Sequence, residues 1–289
     1  MANLKEIRAR ITSVGSTMQI TSAMKMVSAA KLKRAQDAIT QMRPYANKLT
    51  ELLQNLSANL DASDAGEYTQ SREIKNVLLV TITSNRGLCG GFNTYIIKKA
   101  KKLIRDDYKS ASIKILSIGK KSSEHFTKNG FNVISTEDDL FSELTFNNVG
   151  KIAERIMEQF FNGNYDKVLL VYNQFKNAAT QVVMTENFLP LEGTGDQEPI
   201  VVVGDYIFEP TKQEIVEQLI PKSLKTQLFK AILDSHASEH GARMTAMHKA
   251  TDNAAELKKE LTLTYNKARQ AAITGEILEI VGGAEALNS

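Results

Sequence analysis

Residues 16–65 contain no glycine and a single proline, Pro44. So long a stretch with so few helix breakers leaves the N-terminus little alternative to a helix. Apolar residues recur there at helical spacing: Leu4, Ile7, Ile11, Val14 and Met18, then Ile20, Met24 and Val27, and later Leu49, Leu52, Leu53 and Leu56. The first five alternate steps of three and four, which is a heptad seam. The pattern predicts one helix of roughly 55 residues, about 80 Å long at about 1.5 Å per residue, with a kink at Pro44. At the other end no proline follows Pro221, and Met247, Ala250, Ala254, Leu257, Leu261, Thr264, Ala268 and Ala271 form a second three-and-four seam. From residue 211 this helix would run up to about 79 residues, on the order of 120 Å, with a break or kink at Pro221. No compact domain covers helices of that length.

Between them the rhythm changes. Residues 77–83, 112–118, 167–175, 181–188 and 200–207 are short and rich in β-branched residues, and helical stretches at 92–107, 120–129 and 145–162 separate them. Strand-helix-strand order predicts βαβ units and a sheet that is at least partly parallel. The expected fold class is therefore α/β: a Rossmann-like central domain carrying a long antiparallel coiled coil made of the two terminal helices. The expected segments are 1–60 for the first helix, 72–210 for the central domain and 211–289 for the second helix, with a linker at 60–71 and a loop at 192–199.

Paired antiparallel, the second helix exceeds the first by about 19 residues, roughly 28 Å. The overhang would be residues 271–289, where Ile273, Ile277, Leu278, Ile280, Val281 and Leu287 leave most faces apolar. At about 1.5–3 kcal/mol per large apolar side chain left wet, such a tip calls for a protein sleeve.

Charge and composition narrow the function classes. Residues 1–60 hold nine Lys and Arg against three Asp and Glu, hidden within a net charge of +3 for the whole chain. A basic segment suits nucleic acid or an acidic protein partner. Tyr45 is its only aromatic residue, so a base-stacking platform is missing and nucleic acid is not expected. The single cysteine, Cys89, excludes an internal disulfide or a thiolate-rich zinc site and suggests a reducing compartment. The N-terminus has no apolar signal core and the longest apolar runs are strand-sized, so no membrane insertion is expected.

Two motifs invite an enzyme reading. The run from Ser84 to Asn93, with Gly87, Gly90 and Gly91, sits where a strand turns into a helix, the place where backbone amides cradle phosphates. It is neither GxGxxG nor a Walker loop, and it reads better as a structural turn whose glycines permit positive φ and close packing. Cys89 reads as a small buried hydrophobe. His236-Ala237-Ser238-Glu239-His240 matches H-x-x-E-H, but a zinc hydrolase needs a third ligand and an enclosed pocket, so no metal or other cofactor is expected. Glu239 then reads as a solvated or partner-facing charge.

Further runs carry a resemblance. Ile11-Thr12-Ser13-Val14, Gln19-Ile20-Thr21-Ser22-Ala23-Met24-Lys25-Met26-Val27 and Ala30-Lys31-Leu32 are similar to the first helix of the gamma subunit of F-type ATP synthases. Ala237-Ser238-Glu239, Ala242-Arg243-Met244, Ala250-Thr251-Asp252-Asn253-Ala254 and Tyr265-Asn266-Lys267-Ala268-Arg269-Gln270-Ala271-Ala272-Ile273-Thr274 resemble that family's C-terminal signature nearly position by position. The Gly87 to Gly91 turn, Asp205-Tyr206 and Glu209-Pro210 match as well. Gly275 departs from the pattern, standing where a longer polar residue is usual.

The resemblance implies the rotor shaft of a proton-translocating synthase, coupling rotation of a membrane c-ring to catalysis in the beta subunits. It implies three alpha and three beta subunits, an epsilon subunit and the c-ring as partners, no catalytic residue in this chain, and a peripheral place on the cytoplasmic face of a bacterial plasma membrane. The redox-regulatory insertion of the chloroplast form is absent, which points to a bacterial-type enzyme. By resemblance, Met24 and Lys25 on the first helix and Arg243, Gln270, Thr274, Glu276 and Glu279 on the second face the ring. Lys31, Lys33 and Arg34 join Lys25 as basic contacts to acidic loops. The rival classes are a nucleotide-binding α/β enzyme with helical arms, marked by direct nucleotide binding, and a coiled-coil scaffold, marked by a stable homodimer.

Overall fold

The computed structural model describes residues 4–57, 68, 72–191 and 212–288. Helix α1 spans Leu4–Ser57 and α5 spans Lys212–Asn288. Between them lie β1 (Asn76–Ile82), α2 (Phe92–Lys102), β2 (Ser112–Ile118), α3 (Lys120–Lys128), β3 (Val133–Thr136), α4 (Phe146–Phe161), β4 (Lys167–Phe175) and β5 (Gln181–Leu189). The sheet order is β3-β2-β1-β4-β5, with β1 to β4 parallel and β5 antiparallel at the edge. Strand β3 is absent from the sequence-based expectation because four residues are too few to establish an alternation. The expected strand at 200–207, the loop at 192–199 and the matches at Asp205, Tyr206, Glu209 and Pro210 fall outside the described residues, as does the 60–71 linker apart from Tyr68.

Two compact units divide the chain, residues 29–243 and residues 1–28 with 244–289. In the first, β1 and β4 are buried on both faces, which is why they read as continuous apolar runs. One sheet face packs Leu78, Val80, Ile82, Leu170 and Tyr172 against α4 and against Ile220, Leu224, Leu228, Ala231 and Ile232 of α5. On the other face, Val171 meets Phe92, Ile96 and Leu103. Pro221 does not break α5: burial of Ile220, Leu224 and Leu228 around it, at about 1.5–3 kcal/mol each, outweighs the roughly 3 kcal/mol that a helical proline costs.

In the second unit, α1 and α5 run antiparallel. Thr21 Oγ1 lies 2.8 Å from Thr251 Oγ1, and a Cβ on Gly15 would stand 3.7 Å from Lys258 Nζ. Stepping back from 21 to 15 on α1 thus advances from 251 to 258 on α5, and continuing the register sets Leu4 opposite about residue 269. Part of the expected seam is corrected. Ile20 and Val27 point outward at 60% and 57% exposure, while Thr21 and Ser28 are buried. Leu257 and Thr264 are exposed, and Lys258 and Tyr265 hold the seam positions instead. Small hydroxyls fit there because they satisfy themselves locally, Ser28 donating to Met24 O at 2.7 Å and Thr251 to Met247 O at 2.8 Å. Lysine and tyrosine fit because their stems are apolar.

Candidate functional site

In a doubly wound sheet, ligands bind beyond the carboxyl ends of the strands, at the switch point between the strands where the order reverses, here β1 and β4. That crevice is filled by the chain itself. Ser235 Oγ donates to Ile82 O at the end of β1 (3.3 Å), and Ser238 Oγ donates to Asn173 O near the end of β4 (3.0 Å). Gly241 lets the helix ride on the β4–β5 turn, since a Cβ there would come within 3.2 Å of Ala178 Cα.

The Gly87 to Gly91 turn is held by the same helix. Arg243 Nη2 donates to Arg86 O (3.1 Å) and Gly87 O (3.4 Å), while Nη1 donates to Glu239 Oε1 at 2.6 Å. The turn therefore aims carbonyls, not amides, at its neighbour. At the two ends of the turn, Ser84 N–H is taken by Asn93 Oδ1 and Phe92 N–H by Cys89 O. Positive φ falls on Gly90 and on Leu88, not on Gly87 or Gly91. Gly91 serves close packing instead, since a Cβ there would overlap the Tyr95 ring at 2.6 Å. Cys89 is buried, and that burial pushes its thiol up, away from thiolate chemistry.

Glu239 is not a solvated charge: it is buried and paired with Arg243, its carboxyl pushed up by burial against the opposing pull of that guanidinium. His236 and His240 face each other, Nε2 to Nε2 at 3.1 Å, with Phe141 stacked on His236. Arg243 Nη1 stands 3.4 Å from His240 Nδ1. Because a guanidinium only donates, His240 Nδ1 accepts, its Nε2 carries the hydrogen, and His236 accepts at Nε2. Both rings are thereby kept neutral. Burial first, then neighbouring cations, lowers His236 to about 4; burial, then His236 and the cations, lowers His240 to about 3. Among the described residues no group of three or more His, Cys, Asp and Glu could hold a metal ion.

The sequence-derived contact residues do not form one site. Arg243 is 8% exposed and fully engaged, so its place is that of an internal clamp and not of an outward contact. Met24 and Lys25 are half-buried, whereas Lys31, Lys33 and Arg34 are exposed, Lys31 and Arg34 on one face of α1 and Lys33 away from it. Lys33 pairs with Asp37 at 2.9 Å. Gln270, Thr274, Glu276 and Glu279 are all exposed, and Thr274 returns its hydroxyl to Gln270 O. Sequence reading missed the outward Ile20, Met26 and Val27, 57–65% exposed. Extending the strict three-and-four step past Met18 would have found them.

A family model described as ATP synthase matches residues 3–287. The chain is 67% identical to an ATP synthase gamma chain of Flavobacterium psychrophilum, over 99% of both chains. It is 61% identical to one of Christiangramia forsetii, over the whole of both. A solved chain from the central stalk and c-ring of the Tetrahymena thermophila mitochondrial ATP synthase is similar at TM-score 0.63 and 28% identity, over 80% of this chain and 99% of that one. A chain from the Euglena gracilis mitochondrial enzyme shares the fold at TM-score 0.70 and 22% identity, over 98% and 94% of the two chains. No helix among the described residues is long and apolar enough to cross a membrane.

Proposed function

The chain belongs to the ATP synthase gamma-chain family, and from that premise we propose that it is the central rotor shaft of a bacterial F-type synthase, a non-catalytic subunit of the complex. Its partners are a ring of three alpha and three beta subunits, an epsilon subunit and the membrane c-ring, and it works at the cytoplasmic face of the plasma membrane. Catalysis lies in the beta subunits. Turning of the c-ring turns the shaft, and off-axis side chains pressing on the ring bias the conformations of the catalytic sites. Of the contact residues, Gln270, Thr274, Glu276 and Glu279 on α5, with Met24, Lys25, Lys31, Lys33 and Arg34 on α1, are assigned to the ring. Ile20, Met26 and Val27 are added as apolar contacts.

One observation carries this reading: the crevice in which such a sheet takes a ligand is filled by α5, and the far end of the same helix exposes Ile273, Ile277, Leu278, Ile280 and Val281. The sheet thus grips a helix instead of a substrate, and the helix presents apolar surface that no described residue covers. The test is a photo-crosslinking side chain placed at position 270 or 276 of a tagged chain in its native cell. Adducts with alpha or beta subunits are expected on purification. Recovery of the chain without alpha and beta would sink the proposal.

A further inference from the structure

Residues 92–130 carry ten Lys and Arg against three Asp and Glu, whereas the rest of residues 61–210 carries seven against seventeen. The fold gathers that charge. Helices α2 and α3 cover the same sheet face, Ala100 and Phe126 meeting around Ile115 of β2. They lie close enough that, after burial, the charge of Lys101 on α2 helps hold His125 on α3 below its usual pKa. Helix α2 buries Phe92, Ile96 and Ala100, so the stripe at i, i+3 and i+7 formed by Tyr95, Lys98 and Lys102 points to water. Lys120 and Lys128 are exposed on α3. Lys121 and Arg105 have acidic neighbours, Glu124 at 2.6 Å and Asp106 at 2.8 Å. Lys98, Lys101, Lys102 and Lys128 pair with no acidic side chain among the described residues. On the other sheet face, α4 sets Lys151 and Arg155 against Glu154 and Glu158, the mixed pattern of an ordinary solvated helix.

The composition of the patch selects its partner. Lys114 lies over the Tyr165 ring on the opposite sheet face; of the nine other cations, eight are lysines. Protein interfaces favour arginine and are depleted of lysine, a compact and strongly hydrated charge that is costly to desolvate. A flat lysine field instead suits a wet, polyanionic sheet, to which each charge adds diffusely. Tyr95, 58% exposed on the lysine stripe, is the kind of ring that settles at headgroup level.

We propose that the outer face of α2 and α3 is an electrostatic seat for the headgroups of anionic phospholipids. This rests on the family reading, which brings the chain to a membrane complex. The seat acts as a weak, salt-dependent tether without insertion.

The test uses the assembled alpha-beta-gamma complex, carrying either the wild-type chain or the quadruple variant Lys98→Gln, Lys101→Gln, Lys102→Gln, Lys128→Gln. Each is floated with vesicles of phosphatidylcholine alone or mixed with phosphatidylglycerol, and the purified chain is floated in parallel so that headgroup preference is read independently of assembly. Wild type should bind only the phosphatidylglycerol vesicles, and less as salt rises from about 0.05 to about 0.3 M. At about fivefold per lysine, the quadruple variant should lose binding by several hundredfold. The corresponding Lys→Arg variant should keep it. Equal binding to neutral vesicles, or variant binding equal to wild type, would overturn the proposal. So would absence of vesicle binding together with loss of an acidic subunit from the variant complex, which would make the patch a protein contact. Failure of the wild-type chain to assemble with alpha and beta would strike instead at the family reading.

Discussion

Arg243 shows how a side chain recognisable in sequence can hold contacts that the sequence does not reveal. The resemblance has it face the ring of alpha and beta subunits; in the structure it is buried and clamps the carbonyls of Arg86 and Gly87. A charge 8% exposed is tolerable only because Glu239 and those carbonyls satisfy it. No one-dimensional pattern reveals that a helix residue will meet a turn more than 150 positions earlier. The histidines beside it yield a pH prediction. His240 is neutral in the folded chain down to about pH 3, but in the unfolded chain it takes up a proton below its ordinary value of 6.5. Between those values the unfolded state binds more protons, so the His240 contribution is intact above about pH 6.5 and is lost as pH falls, by up to about 1.4 kcal/mol per unit. Asp234 and Glu239, pushed up by burial, act with the opposite sign, so the informative quantity is a difference between two proteins. His240→Gln keeps a donor toward His236 without the titration, and its urea-unfolding free energy should fall less steeply than wild type from pH 6.5 to 4. Parallel slopes would mean that His240 is not held neutral.

At the scale of elements, most of the fold was legible. Strands β2 and β4 match the expected 112–118 and 167–175 at both ends: β4 because burial on both faces leaves the apolar run Val168 to Tyr172, and β2 because its four aliphatic residues among Ser and Lys stop at Gly119. The seam of the long helices was legible in kind and wrong in phase. Its first five residues fix a three-and-four alternation whose continuation lands on Thr21, Lys25 and Ser28, yet apolarity alone draws the eye to Ile20, Met24 and Val27. Where a helix has apolar residues on two faces, phase and not hydrophobicity identifies the inner one. The switch point was not legible at all, since the sequence shows a strand-turn-helix and not the distant helix that fills it. Gly15 lies where the two long helices meet. It sits inside α1, and an added Cβ would make ordinary contact with Lys258 Cε at 3.9 Å. Gly15→Ala should therefore remove the cost of a mid-helix glycine and stabilise the paired helices by about 0.5–1 kcal/mol. Slower hydrogen exchange in α1 around position 15 would register the gain. Faster exchange would mean that the seam is tighter there than the register implies.

For the molecule as a working part, the decisive feature is the length of α5 that α1 leaves unpaired. With Leu4 opposite about residue 269, no described helix lies beside the last turns of α5, and Ile273, Ile277, Leu278, Ile280 and Val281 stand 48–71% exposed. Gly275, Gly282 and Gly283 meet nothing within 4 Å, and each weakens a bare helix by about 1 kcal/mol relative to alanine. A lone segment this short is marginal in water, so its order must come from what surrounds it in the complex. The kind of support matters. Torque is resisted where contacts lie off the rotation axis, whereas the end of a single helix lying on that axis has almost no lever arm. Its apolar surface can still be buried at many rotational positions, because hydrophobic contact is non-directional. The end of the shaft should therefore behave as a bearing. Deleting residues 280–289 is expected to lower the yield or thermal stability of the complex while leaving substantial ATP-driven rotation in whatever assembles, read from single complexes with a probe on the shaft. A truncated complex that assembles fully and cannot turn would show that the tip carries torque, and the bearing would have to give way to a gear.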